Sequence, residues 1–96
     1  MLALYLFVYY NDKKTTVRKD MKSIKINLKM AENVKAFVNI TAKYDYDIDL
    51  RSGRFVVDAK SILGIFSLDL SKPLIMEVYS PACDDLLTEL APFIVD

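Results

Sequence analysis

Apolar and polar residues alternate in three parts of the chain, and this period of two predicts half-buried β-strands. The first part is SIKINLK at 23–29, and the third is LIMEVYS at 74–80. The second is YDYDIDLRSGRFVVDA at 44–59, where Ser52 and Gly53 give a turn signal that predicts a hairpin. The residues expected to face inward are Ile24, Ile26, Leu28, Tyr46, Ile48, Leu50, Phe55, Val57, Ala59, Leu74, Met76 and Val78.

Three other segments have the spacing of amphipathic helices. The first runs from about Ala31 to Lys43, and a short second helix runs from about Ser61 to Leu68. For the third, Ser80 is the predicted N-cap, Pro81 suits the first helical position, and Pro92 should end the helix. Two acidic residues complement the positive end of its dipole, Asp84 and Asp85. The apolar faces of the first and third helices are Val34, Phe37, Val38 and Thr41, and Leu86, Leu87 and Leu90.

The predicted element order is therefore β-α-β-β-α-β-α. Each strand has one apolar and one polar face, so the sheet should be covered on one side only. We expect an α+β domain in two layers, with a four-stranded antiparallel sheet, three helices on one face and the other face open.

Composition and charge narrow the function classes. The chain has 96 residues, of which 53% are apolar, enough for one compact domain without a metal or a disulfide. The formal net charge is zero, and residues 21–96 carry nine Lys/Arg against eleven Asp/Glu. Because no basic face is clustered there, we expect no nucleic-acid partner and no membrane binding by this part.

The numbers of cysteines and histidines also limit the chemistry that the protein can perform. Cys83 has no partner cysteine, so we expect a half-buried structural thiol, a reducing compartment and a cytoplasmic protein. The sequence contains no histidine, which excludes histidine-based nucleophiles, bases and metal ligands. We expect no cofactor, no metal and no small-molecule substrate.

Residues 1–20 differ from the rest of the chain. MLALYLFVYY is apolar but shorter than a membrane span, and NDKKTTVRKD has the composition of a polar linker. We expect an N-terminal extension outside the native fold, followed by one domain at 21–96. A membrane-surface anchor and an extra edge strand are the alternatives.

Two polar patterns have a functional and a plain interpretation. Asp45, Asp47 and Asp49 alternate along a strand and could form a cation site or an acid–base site, but a solvated strand face is the preferred interpretation. Lys35 and Asn39, with Lys43, form a polar stripe on the first helix that could contact a partner or be plain helix surface.

The element order, together with TAKYDYDIDL at 41–50 and AKSILGIFSL at 59–68, resembles the histidine-containing phosphocarrier protein (HPr) family of the bacterial sugar phosphotransferase system. The resemblance extends from about Lys22 to Leu90. It implies the same fold, an open-faced β-sandwich. The family carries a phosphoryl group on a histidine at the start of the first helix, in a Gly-Ile-His-Ala-Arg-Pro type of motif.

The corresponding stretch here is LKMAEN at 28–33, in which only Ala31 matches. Met30 stands at the histidine position and Glu32 at the arginine position. A thioether cannot accept and release a phosphoryl group as an imidazole does. A carboxylate would repel the phosphate that an arginine would bind. We therefore expect no phosphohistidine carrier activity and no enzyme function, as in the catabolite-repression paralogue of HPr.

Another functional position of the family is retained. Ser61 matches a serine that an ATP-dependent HPr kinase phosphorylates in low-GC Gram-positive relatives. The resemblance implies a docking surface formed by Ile62, Leu63 and Phe66, with Lys35 and Asn39 on the first helix. We expect Leu63 and Phe66 to be the exposed pair. The plain interpretation of Ser61 is a helix cap that contributes about 1 kcal/mol.

These observations favour a regulatory or binding module that is switched by phosphorylation of Ser61. Its partners would be an HPr kinase/phosphorylase-like enzyme and a transcriptional regulator. One alternative is a true phosphocarrier that uses another residue, for which Cys83 is the candidate. Another alternative is a non-enzymatic assembly module.

Overall fold

The computed structural model describes residues 21–95. The expectations about residues 1–20 lie outside these described residues. Within them, four strands and three α-helices follow one another in the predicted order. The strands are β1 (Met21–Ile26), β2 (Ile48–Ser52), β3 (Phe55–Asp58) and β4 (Leu74–Tyr79). The helices are α1 (Ala31–Thr41), α2 (Ile62–Phe66) and α3 (Asp84–Glu89), and α3 is followed by the 3-10 turn Ala91–Phe93.

The four strands form one antiparallel sheet in the order β1-β4-β2-β3. β4 lies between β1 and β2, and its register places Met76 opposite both Ile24 and Leu50. The predicted hairpin joins β2 to β3, and Gly53 in its turn has a φ of 60°. Glycine adopts this left-handed conformation without the steric cost that a Cβ would add.

The hydrophobic core lies between the inner face of the sheet and the helices. Its members alternate along every strand and recur at helical spacing in α1 and α3, as the sequence predicts. Phe37 of α1 is fully buried, and its ring meets the edge of Phe93 with 6.3 Å between centroids and an interplanar angle of 77°. The largest fully buried side chains are Phe37, Ile26, Leu28, Ile48, Leu50, Ile65, Leu74, Met76, Leu86, Leu90, Val34 and Val57. The predicted α+β, open-faced fold is confirmed.

Two local predictions are wrong at the ends of elements. Phe55 was expected to face the core but is 58% exposed, because it is the first residue of β3 and lies beside the turn. The third helix begins at Asp84 and not at Ser80. The Ser80 hydroxyl accepts from the N–H of Ala82 at 3.2 Å and donates to its carbonyl at 3.1 Å, so it closes a turn before the helix.

The preferred interpretation of the alternating aspartates is also wrong at one position. Asp45 is exposed and Asp47 is half-buried, but Asp49 is fully buried. Across residues 21–95, no group of three or more His, Cys, Asp or Glu side chains is placed to hold a metal ion. No helix of the same residues is long and apolar enough to cross a membrane.

Candidate functional site

The start of α1 carries Met30 in an exposed position. Met30 is the N-cap residue, with extended backbone, and its thioether supplies no capping hydrogen bond. Lys29 before it has a φ of 68°, which is uncommon for a residue with a side chain. The side-chain amide of Asn33 donates to the carbonyl of Leu28 at 2.6 Å and holds this turn against the helix. Glu32 is exposed in the first turn of α1 and places a carboxylate near Met30.

The start of α2 carries Ser61. Its backbone is extended, with a φ of −105°, and its Oγ accepts a hydrogen bond from the N–H of Gly64 at 3.2 Å. Ser61 is half-buried, and its own N–H donates to the carbonyl of Asp58 at 3.0 Å. The hydroxyl therefore caps the helix, as the plain interpretation of the sequence expects.

The four large apolar residues of α2 divide between the core and the surface. Ile65 is fully buried, and Ile62 is half-buried against the core. Leu63 is 70% exposed and Phe66 is 42% exposed. A helix of five residues that lies on a sheet presents only one side to it, so the opposite side must face outward. The expected exposure of Leu63 and Phe66 is confirmed.

Gly64 allows α2 to lie close to the sheet. A Cβ built at this position would lie 3.2 Å from the Cβ of Val57 in β3 and 3.2 Å from the Oγ of Ser61. Such contacts are tighter than ordinary van der Waals packing, so the glycine fixes both the helix–strand spacing and the room around the Ser61 hydroxyl.

The segment that precedes Ser61 makes contacts that the sequence pattern did not predict. The hydroxyl of Thr41, buried at the end of α1, donates to the carbonyl of Ala59 at 3.0 Å. Lys60 donates from its ammonium group to the carbonyl of Tyr44, and its backbone N–H donates to Asp58 at 2.9 Å. α1 and α2 therefore connect through the segment that precedes Ser61. No local signal identifies these pairs, because the partners are 16 and 18 residues apart.

The polar stripe of α1 is exposed at Lys35 and Asn39. Lys43, beyond the C-terminus of the helix, forms an ion pair with Glu89 of α3. The phenol of Tyr44 donates to the other oxygen of the same carboxylate. Lys43 and Tyr44 thus tie the end of α1 to α3 through one carboxylate, whereas Lys35 and Asn39 remain on open helix surface.

These contacts shift two pKa values in opposite directions. The hydrogen bond to Glu89, followed by desolvation, raises the pKa of Tyr44 to about 12 from 10.0. The Lys43 ammonium, followed by the Tyr44 hydroxyl, lowers the pKa of Glu89. The stability that Tyr44 contributes is fully present at pH values below the pKa of this tyrosine in the unfolded chain. It is lost as the pH rises through the pKa in the folded chain. Stability contributed through Glu89 is present above its unfolded pKa and is lost as pH falls through the folded one.

We expect Tyr44 to titrate with a pKa near 12. Its titration is measured as the difference in tyrosinate absorbance between the wild-type chain and the Tyr44→Phe variant. In a Glu89→Gln background the same difference should titrate closer to 10.0, because the neutral amide no longer stabilises the phenol proton as a carboxylate does. Glu32→Gln, on the exposed first turn of α1, is the matched control and should leave the titration unchanged. A wild-type midpoint near the unperturbed value would contradict the Tyr44–Glu89 contact.

Cys83 lies at the start of α3. It is buried and precedes α3, beside an open cleft of about 440 Å³ that is lined by Tyr44, Tyr46, Ala82, Cys83, Asp84 and Asp85. Burial raises the pKa of Tyr46, whose hydroxyl is buried with no hydrogen-bond partner among the described residues. The thiol is more buried than the half-buried position expected from the sequence.

Comparison with known proteins bears on the fold. No protein-family model and no curated protein sequence matches the chain. HPr-C-His from Thermoanaerobacter tengcongensis has a similar crystal structure, with a TM-score of 0.59 and 24% identity over 74% of this chain and 88% of that one. The phosphocarrier protein HPr from Bacillus anthracis str. Ames gives the same TM-score and identity over 78% of this chain and 95% of that one. The domain therefore has the fold of HPr phosphocarrier proteins.

Proposed function

We propose that this chain is an HPr-like protein of the bacterial phosphotransferase system that has lost phosphohistidine carrier activity. In this proposal it is a cytoplasmic regulatory or binding module, switched by phosphorylation of Ser61. The observation that carries the proposal is the pairing of a helix-capping serine with two exposed apolar side chains on the same short helix, Leu63 and Phe66. The domain involved is 21–96.

The start of α1 supports the loss of carrier activity. A phosphocarrier needs a nucleophile that attacks phosphorus and later leaves it, and the exposed side chain at this position is the thioether of Met30. The carboxylate of Glu32 adds a negative charge where a phosphoryl group would have to be received. The missing nucleophile and the unfavourable charge are independent obstacles, so this member of the fold is degenerate at the carrier site.

The start of α2 supports the switch. In the proposed reaction the Ser61 oxygen attacks the γ-phosphorus of ATP, the new O–P bond replaces the bond to ADP, and the hydroxyl proton passes to a base of the kinase. The product carries about two negative charges. These charges would adjoin Leu63 and Phe66, so a partner that docks on the apolar pair would also sense the phosphate. The fold itself need not change.

The proposed partner proteins would bind at the surface around Ser61. The proposal assigns Ser61 to an HPr kinase/phosphorylase-like enzyme, and the docking residues Ile62, Leu63, Phe66, Lys35 and Asn39 to that enzyme and to a transcriptional regulator. Ile62 contributes through its half-buried side chain, whereas the others are exposed. A carrier mechanism through Cys83 is disfavoured because the thiol is buried and cannot meet a phosphoryl donor without local opening.

Two parallel incubations test the proposal, with intact mass as the readout. One contains phosphoenolpyruvate and the first enzyme of the phosphotransferase system, and the other contains ATP and an HPr kinase. We expect one added phosphate in the second incubation only, and none in the Ser61→Ala variant. Ser67→Ala, a second hydroxyl at the other end of α2, is the matched control and should still gain the phosphate.

The two halves of the proposal fail separately. Phosphate gained from phosphoenolpyruvate would refute the argument at Met30. Absence of phosphate from ATP would refute the switch and leave an assembly module as the remaining interpretation. Phosphate that persists in Ser61→Ala would place the modification elsewhere.

A further inference from the structure

An open cleft of about 580 Å³ lies between the β2–β3 turn and the loop that joins α2 to β4. Ser52, Arg54 and Phe55 line it from the hairpin, and Asp69 and Lys72 line it from the loop. Because the two walls come from separate parts of the chain, only folding brings these side chains together. The volume lies within the range of small-molecule sites, about 300–1,000 Å³.

The cleft is cationic. Arg54 and Lys72 are both exposed, and neither forms an ion pair or a hydrogen bond with another residue of the described part of the chain. Arg51, one strand position before the hairpin turn, differs in this respect because it pairs with Glu77 at 3.2 Å. Two unpaired like charges that line one cleft both attract an anion that enters it.

The carboxylate of Asp69 also lines the cleft but does not cancel these charges. Its Oδ1 accepts hydrogen bonds from the hydroxyl of Ser71 at 2.6 Å and from the N–H of Ser71 at 3.1 Å. These two bonds, the hydroxyl first, lower the pKa of Asp69, so the group is ionised at neutral pH. With two cations against one carboxylate, the lining has a net positive charge.

Phe55 gives the cleft an aromatic wall. Its ring is 58% exposed and lies outside the core cluster, so core packing does not account for a large aromatic side chain at this position. An exposed aromatic face beside cationic groups can stack on a flat ring while the cations hold an attached anionic group. Ser52 adds a hydroxyl that makes no hydrogen bond within residues 21–95 and can donate to the same anion.

We propose that this cleft binds a small organic phosphate that carries an aromatic ring, such as a nucleoside monophosphate. Arg54 and Lys72 bind the phosphate, and the planar guanidinium can donate two parallel hydrogen bonds to its oxygens. The ring of the ligand stacks on Phe55. The carboxylate of Asp69 accepts a hydrogen bond from a sugar hydroxyl.

This inference does not depend on the proposed function. The cleft adjoins the C-terminal end of α2, whereas Ser61 caps the N-terminal end. Neither Ser61 nor Leu63 belongs to the described lining of the cleft. The test needs only the chain and the nucleotide, so its outcome is separate from that of the kinase incubation.

Titration of the full wild-type chain with adenosine monophosphate tests the proposal, with amide chemical shifts measured by NMR. We expect saturable binding with a dissociation constant below about 1 mM. The largest shift changes should fall at residues 52–55 and 67–73, which line the cleft or lie in its loop. Inorganic phosphate and adenosine, added separately, should each bind at least about tenfold more weakly, because each makes only one of the two kinds of contact.

Two variants separate the contacts. Arg54→Gln should weaken binding of the nucleotide at least about tenfold, because the guanidinium–phosphate contact is lost. Phe55→Leu should weaken it about fivefold or more, because the stacking face is lost. Both side chains are exposed, so the thermal midpoints should stay close to that of the wild type. Lys22→Gln is the matched control, since it removes the same charge from the opposite edge strand β1, and it should bind as the wild type does.

The result that would overturn the proposal is equally specific. It is overturned by the absence of saturable binding, by shift changes centred away from the cleft, or by equal affinities of Arg54→Gln and the wild-type chain. Inorganic phosphate or adenosine that binds as tightly as the nucleotide would overturn the assigned ligand class, because one of the two contacts would then contribute nothing.

Discussion

Replacement of Phe37 by alanine is expected to lower the free energy of unfolding by about 3–5 kcal/mol, as measured by urea denaturation. The ring is fully buried between α1 and the sheet and meets Phe93 edge to face. Its removal leaves a cavity and deletes the contact that joins α1 to the C-terminal turn. Domains of this size are stable by about 5–15 kcal/mol, so the loss is a large part of the total.

Phe55→Ala removes the same atoms from a ring that is 58% exposed and outside the core. We expect it to cost less than about 1 kcal/mol, because most of that ring already contacts water. If the two variants were destabilised equally, the assignment of Phe37 to the centre of the core would be contradicted. A near-zero effect at both positions would contradict it too.

The fold could be predicted because each strand has one face in the core. Apolar residues therefore recur at every second position of a strand, and the sequence shows this period of two. Ile24, Ile26, Leu50 and Met76 follow this rule, and all point toward the helices. The rule fails at the end of a strand. Phe55 has the position of an inward-facing residue in the alternating pattern, but its side chain is exposed. The rule also fails at Asp49, a polar residue at an outward-facing position of β2 that is nevertheless fully buried.

The candidate site was less predictable from the sequence than the fold. The capping role of Ser61 and the exposure of Leu63 follow from local spacing on one helix. The hydrogen bond from Thr41 to Ala59 and the shared carboxylate of Glu89 depend on which side chains meet after folding. A local pattern does not identify such long-range polar pairs, because it does not show which polar residues become neighbours after folding.

The second large effect is expected from a substitution in α2, and it is measured as the rate at which an HPr kinase phosphorylates Ser61. This prediction rests on the proposed function. Leu63→Asp should lower kcat/KM about 10- to 100-fold while Ser61 itself is unchanged. Leu63 is the most exposed of the large apolar residues of α2, and its burial against a partner would contribute about 1.5–3 kcal/mol. An aspartate at this position loses that contact and brings a charge into the same interface.

Stability should not account for this loss, because a side chain that is 70% exposed contributes little to the core. The thermal midpoint of Leu63→Asp should therefore lie close to that of the wild-type chain. Met21→Asp is the matched control, since it places the same charge on an exposed apolar residue of the opposite edge strand. Its kcat/KM should equal that of the wild type. If Leu63→Asp were phosphorylated as fast as the control, the kinase would recognise Ser61 without the apolar pair, and the docking surface would have to be abandoned.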